Sequence, residues 1–117
     1  MIQDDCVFCK IIANEIKARV LYRDEFVTAF EDIHPVAPVH FLLVPNRHFD
    51  SVNQVEAGDE QVLGHLFTVA RRLAADKGID TSGYRLVVNT GPHAGQTVNH
   101  LHMHLIGGKH LRIEFRD

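Results

Sequence analysis

Three histidines occupy alternate positions near the C-terminus, His100-Leu101-His102-Met103-His104, ahead of the apolar pair Leu105-Ile106. Alternation of polar and apolar side chains predicts a β-strand with one buried face. Leu101, Met103 and Leu105 then point into a core, and the three imidazoles project together from the other side. A strand rises about 3.3 Å per residue, which roots the outer two imidazoles roughly 13 Å apart. One zinc ion, with His nitrogens at about 2.0–2.1 Å, cannot readily take all three. At least one histidine is left for other chemistry, and neutral imidazole, with a pKa of about 6.5, is both a nucleophile and a proton carrier near neutral pH. The competing reading is a solvated histidine-rich strand or an adventitious metal patch.

Both cysteines of the chain fall in Cys6-Val7-Phe8-Cys9. At i and i+3 on a helical turn, the two sulfurs lie on one side and within reach of one ion. A redox Cys-x-x-Cys usually opens the helix after a strand of a βαβ unit, and no strand precedes this one, so metal binding is favoured. A closed tetrahedral zinc site needs two more ligands. Nine histidines can supply them, namely His34, His40, His48, His65, His93, His100, His102, His104 and His110, and spacing alone does not choose. Two reduced, buried cysteines are the plain alternative. A third constellation, Asn89-Thr90-Gly91-Pro92-His93-Ala94-Gly95-Gln96-Thr97, runs into the histidine segment. Its glycines let backbone N–H groups approach an oxyanion, and Asn89, Gln96 and Thr97 carry side-chain donors, although the same composition also makes ordinary turns.

The elements that must position these groups are legible from periodicity. A short helix is predicted over 6–13, capped by Asp4 and Asp5, with Val7, Phe8, Ile11 and Ile12 on its apolar side. Strands follow at 20–23 and 26–31, then a proline-stiffened loop, then a strand over 40–45 that is apolar on both faces and therefore central. Between Gly58 and Lys77 the positions Val62, Leu63, Leu66, Phe67, Ala70, Leu73 and Ala74 recur at helical spacing, with Gly78 placed to cap the end. Strands at 84–90 and 97–106 complete an α+β architecture, an antiparallel sheet of about five strands carrying one long and one short helix. At 117 residues this predicts one domain with a charged tail over 109–117. The composition is that of an ordinary globular protein, with no apolar run long enough for a membrane span and no signal-peptide pattern, which points to the cytoplasm. A net charge of −3 without any Lys/Arg block argues against binding polymeric nucleic acid.

The run His100-Leu101-His102-Met103-His104-Leu105-Ile106 resembles the signature of the histidine triad (HIT) family. The resemblance extends through Phe8-Cys9-Lys10-Ile11-Ile12, Phe30-Glu31-Asp32-Ile33-His34-Pro35, Ala37-Pro38-Val39-His40-Phe41-Leu42, Tyr84-Arg85-Leu86-Val87-Val88-Asn89 and Gly95-Gln96, roughly residues 4 to 108. Within the family the chain looks most like the Hint branch, the histidine triad nucleotide-binding proteins that act as purine nucleoside phosphoramidases. That resemblance makes His102 the nucleophile, flanked by His100 and His104, with His40 as the fourth active-site histidine. Asn89, Gly95, Gln96 and Thr97 match phosphate-binding positions and Asp32 the residue that holds the ribose hydroxyls. Val7, Phe8, Ile11, Ile33 and Leu42 match the apolar walls of the base pocket. Zinc-bearing relatives ligate a structural ion through positions that here are Cys6, Cys9, His48 and His100, which leaves His102 free of metal.

The expected activity is hydrolysis of nucleoside 5′-phosphoramidates through a nucleotidyl-histidine intermediate, on purine nucleoside monophosphate derivatives. Its rivals are hydrolysis of dinucleoside polyphosphates as in the Fhit branch, nucleotidyl transfer, and a non-catalytic nucleotide- or partner-binding module. Relatives are homodimers, and a dimer is implied here by resemblance only. The tail departs from the branch, where it often reaches the partner's active site. His65 and His110 match no functional position, and relatives carry other residues at His34 and His93.

Overall fold

In the computed structural model, which describes residues 5–112, every strand pairing is antiparallel and the chain order is broken once. Strands β1 (Val20–Arg23), β2 (Val27–Glu31), β3 (Val39–Pro45), β4 (Tyr84–Val87) and β5 (Met103–Gly107) lie in the order β1-β2-β3-β5-β4. β3 is the middle strand and is buried at all seven positions, as its two-sided apolarity predicts. Its alternation divides the core. Val39, Phe41 and Leu43 pack with the long helix α2 (Glu60–Asp76), whereas Leu42 and Val44 pack with Phe8, Cys9 and Ile11 of the short helix α1 (Val7–Ile12). The two helices therefore cover opposite faces of one sheet. No helix among the described residues is long and apolar enough to cross a membrane.

Several local expectations are corrected. The cap of α1 is Cys6, whose Sγ accepts the Cys9 N–H at 3.3 Å, while Asp5 is exposed and Asp4 lies outside the described residues. On α2 the buried positions are Leu66, Val69, Ala70, Leu73 and Ala74, and Phe67 turns outward at 57% exposure. Gly78, at φ +71°, follows the C-cap Lys77 in the left-handed conformation that suits glycine. β4 stops at Val87, and β5 begins only at Met103, so His100 and His102 stand ahead of the ladder. The reason lies opposite them: Pro45 has no N–H to offer, its carbonyl is taken by the His100 ring at 2.9 Å, and the Leu101 N–H goes to Phe49 O at 2.7 Å. The faces still alternate as predicted, with Leu101, Met103 and Leu105 in the α2 core, but His100 and His102 on the other face are buried too, at 0% and 6% exposure.

The β1–β2 turn is fastened to α2 by Asp24. One carboxylate oxygen accepts the N–H groups of Phe26 and Val27 at 2.7 and 2.8 Å. The other takes Tyr22 Oη–H and His65 Nε2–H, each at 2.6 Å. Burial alone would raise the Asp24 carboxyl, but these four donors outweigh it and hold it far below its ordinary value. His65, partly buried, thus serves as a structural partner of a carboxylate. Because the folded pKa is depressed, this stabilisation is complete above the ordinary value of 3.8 and is lost as pH falls below it. Asp24→Asn should therefore destabilise the protein by about 1–3 kcal/mol at pH 7. The gap from wild type in urea midpoints should begin to narrow once the pH is lowered below 3.8.

Candidate active site and metal centre

Pleating gathers the site on the face covered by α1. His40 shares the side of β3 that carries Leu42 and Val44, and His104 stands opposite Leu42 in the β3–β5 register, with His40 opposite Ile106. The two imidazoles meet on the diagonal, His40 Nε2 lying 2.9 Å from His104 Nδ1. Backbone chemistry sets the direction of that bond. The Val36 N–H donates to His40 Nδ1 at 3.1 Å, so Nδ1 carries a lone pair and the His40 proton sits on Nε2. His40 Nε2–H then donates to His104 Nδ1, with Asp32 Oδ2 at 3.4 Å from the same donor. Neutral His104 is left with its N–H on Nε2.

His102 is oriented in the opposite sense. Its Nδ1 lies 2.7 Å from the His100 carbonyl, which can only accept, so the proton is on Nδ1 and the lone pair on Nε2. The ring is buried at 6% exposure, 5.1 Å between centroids from His104, and the Phe8 ring meets it edge-on at 5.2 Å. Two rings 5.1 Å apart thus carry opposite functions at Nε2, an N–H on His104 and a lone pair on His102.

His100 turns away from its neighbours toward the cysteines. Its Nδ1 is 3.2 Å from Cys6 Sγ and 3.6 Å from Cys9 Sγ, and His48 Nδ1 is 3.3 Å from Cys9 Sγ. The four ligand atoms of Cys6, Cys9, His48 and His100 lie within 4.8 Å of one another and could hold a metal ion. Both rings have their second nitrogen occupied: His100 Nε2–H donates to Pro45 O and His48 Nε2–H to Asp50 Oδ1 at 2.6 Å. Both Nδ1 lone pairs are thereby aimed at the sulfurs, the arrangement by which protein metal sites orient imidazole. Burial pushes the Cys6 thiol above its ordinary value of 9.0, and Cys9 beside it adds to the effect. A bound cation would reverse that by replacing the thiol protons. Asp50 did not figure in the expected site, although its position two residues after His48 was the available signal.

The glycine loop is more self-contained than its composition suggests. Gly91 and Gly95 have φ of +84° and +85°, and the three residues between them form a 3-10 turn. Gln96 Oε1 accepts the Gly91 N–H at 2.8 Å, and its Nε2 donates to Asp50 O at 2.6 Å and Val98 O at 3.1 Å. Asn89 Nδ2 donates to Ala94 O at 2.8 Å. Both donor hydrogens of the Gln96 amide are thus spent within the protein, whereas Gly95 and Thr97 are exposed. Among the expected base-pocket residues, Phe8, Ile11 and Leu42 are buried together, while Val7 and Ile33 stand exposed at the surface. Asp32 Oδ1 holds the His34 N–H at 2.7 Å. His93 and His110 are exposed.

The HIT domain family model matches residues 13–111, most of the chain, including His40, His48, His100, His102 and His104. This protein belongs to the HIT family. Cys6 and Cys9 precede the matched span. The chain is 49% identical to the purine nucleoside phosphoramidase of Escherichia coli K12 over 108 residues, 92% of this chain and 91% of that one. Its fold is similar to that of a histidine triad protein from Clostridium difficile, with a TM-score of 0.95 at 40% identity over 98% of this chain and 100% of that one. A HIT family hydrolase from Legionella pneumophila gives a TM-score of 0.92 at 40% identity, covering 94% and 98% of the two chains.

In this HIT protein the imidazoles that face one another are held neutral. Burial pushes His104 from 6.5 down to about 4, with His102 and His40 adding to the effect and Asp32 opposing it. Burial likewise lowers His40 against the pull of Asp32. An unfolded His104 takes up a proton as pH falls through 6.5, while the folded one resists until about 4. The unfolded state thus binds more protons across that window, and stability falls as the pH is lowered through it. Denaturant midpoints recorded between pH 7 and pH 4 should show this decline, and a His104→Asn variant should show a shallower one.

Proposed function

We propose that this HIT protein hydrolyses purine nucleoside 5′-phosphoramidates, with His102 as nucleophile. The observation that carries the reading is the His102 tautomer, whose Nδ1–H bond to the His100 carbonyl frees Nε2 beside the His104 donor. The extent of identity to the Escherichia coli phosphoramidase supports the same substrate class. In the first step the Nε2 lone pair attacks the α-phosphorus, the P–N bond of the nitrogen-protonated substrate breaks, and the neutral amine leaves with that proton. The resulting imidazolium keeps its Nδ1–H on the His100 carbonyl. His104 Nε2–H and the N–H groups of Gly95 and Thr97 bind the phosphoryl oxygens as charge builds on them. Water then attacks the nucleotidyl-histidine, releasing the nucleoside monophosphate and returning the lone pair to His102. Asp32 accepts from the ribose diol, and the purine lies against Phe8, Ile11 and Leu42, with Val7 and Ile33 at the rim.

Cys6, Cys9, His48 and His100 fit zinc. A tetrahedral ion with Zn–S of about 2.3 Å and Zn–N of about 2.05 Å needs S···N edges of about 3.5 Å. The edges here are 3.2, 3.3 and 3.6 Å. Four protein ligands leave no position for water, so the ion would cross-link α1 to His100 and take no part in the chemistry. Reduced thiols suit the cytoplasm. A homodimer is supported by β4, which lies at the sheet edge and pairs only with β5 among the described residues.

His102→Ala should lower turnover of adenosine 5′-phosphoramidate by about 10⁴-fold or more and abolish the nucleotidyl adduct in mass spectra of the quenched enzyme. A variant that still turns over would remove His102 from the mechanism. Wild-type enzyme should cleave this substrate faster than diadenosine polyphosphates. Elemental analysis should find one zinc per chain, lost on Cys9→Ser, and light scattering should give a mass of two chains.

A further inference from the structure

Both Nε2 hydrogens of Gln96 are committed to main-chain carbonyls and its Oε1 to the Gly91 N–H, so the side chain has no donor left for a substrate phosphate. What it does instead is join two loops. Through Oε1 it closes the 91–96 loop on Gly91, where two glycines at positive φ leave the backbone little stiffness of its own. Through Nε2 it fastens that loop to the main-chain carbonyl of Asp50. The same Asp50 uses its carboxylate on His48 Nε2–H, and it is clamped by Gln54, which takes the Asp50 N–H at 2.5 Å and donates to Oδ2 at 3.2 Å. One residue thus presents its side chain to a metal ligand and its carbonyl to the phosphate loop. Cys6, His48, Asp50 and Thr97 also line a single cleft between the two.

We propose that Gln96 is a positioning residue that couples occupancy of the Cys6/Cys9/His48/His100 centre to phosphate binding by the Gly95–Thr97 segment. Fixing His48 on an ion fixes Asp50, and Asp50 fixes Gln96 and the loop. The inference rests on the functional reading above, both for the ion and for the role of the loop. Coupling of this kind is reciprocal: whatever factor the metal contributes to nucleotide affinity, the nucleotide returns to metal affinity. A chain of hydrogen bonds is not by itself evidence of coupling, so the test must measure the coupling itself.

The probes are zinc and adenosine 5′-monophosphate. Nucleotide affinity is measured by calorimetry on zinc-loaded and chelator-stripped protein, and zinc affinity by chelator competition with and without saturating nucleotide. The second measurement starts from the folded, loaded protein. In wild type each ligand should tighten the other by the same factor, about tenfold. Gln96→Met removes both amide functions at similar length, and Gln96→Glu keeps the acceptor for Gly91 N–H but cannot donate to Asp50 O. Both variants should retain one zinc per chain, bind the nucleotide about tenfold more weakly, raise KM more than they lower kcat, and reduce the mutual factor to less than twofold. Coupling undiminished in Gln96→Glu would overturn the Asp50 link. Wild type that binds both ligands with no mutual effect would overturn the proposal and leave the functional reading intact. Wild type that fails to bind the nucleotide in any metal state would overturn both.

Discussion

The hydrogen bond from His100 Nε2 to the Pro45 carbonyl organises both halves of the site. It turns the ring so that Nδ1 faces Cys6 and Cys9, and it takes the carbonyl that a continuing β3–β5 ladder would have used. Released from the ladder, the segment ahead of β5 brings the His100 carbonyl over His102 Nδ1. A single side-chain bond to a strand end thus assigns one histidine to the cysteines and sets the tautomer of the next but one. Burial makes the arrangement rigid: His100 is fully buried, and burial holds its ring well below 6.5, at about 4. A protonated ring could not present a lone pair to a cation, so the apolar surroundings favour the form that binds one.

The short helix connects these halves mechanically. Phe8 lies between the two cysteines in sequence, and its ring meets His100 at 5.9 Å, His102 at 5.2 Å and Phe30 at 5.4 Å, all edge-on. Anchoring α1 through the cysteines therefore also seats an aromatic edge against the nucleophile. Edge-to-face pairs of this kind contribute about 0.5–1.5 kcal/mol each beyond burial. Six residues of helix are too few to be stable alone, so α1 depends on this packing and on the Cys6 cap.

How much of this was legible in the sequence depended on how local the determining interaction is. The two-sided apolarity of β3, the helical spacing of apolar residues in α2 and the alternation of Leu101, Met103 and Leu105 are properties of short windows, and each appears in the fold. The resemblance to the HIT family singled out His48, which no spacing rule could choose from nine histidines. What did not show were the consequences of contacts between distant segments. Pro45 ends the ladder some 55 residues before His100 in the chain. Cys6 displaces Asp5 as the helix cap because its sulfur also belongs to the inner-face cluster. Asn89 and Gln96 read as phosphate donors by type, and the contacts that the sequence did not show are those by which their amides also close the loop that carries the exposed Gly95 and Thr97. Phe67 fits the helical stripe but lies beyond the arc that the sheet covers.

The clearest case of context overriding composition is the pair of clusters that the inner face assembles. Asp32, His40 and His104 also place their ligand atoms within 4.8 Å of one another, and by residue type they too could hold a divalent ion. Backbone partners decide otherwise. At His48 and His100 the outer nitrogen donates to an oxygen, so the inner nitrogen offers a lone pair. At His40 the outer nitrogen accepts from the Val36 N–H, so the inner one must carry the proton and gives it to His104. A cation entering there would have to displace that proton from a ring whose other nitrogen is already an acceptor, leaving a bound imidazolate. One set of side chains is thus prepared to hold a metal and the other to hold a proton, and the difference lies in whether an oxygen acceptor, the Pro45 carbonyl or the Asp50 carboxylate, or a main-chain N–H stands behind the ring.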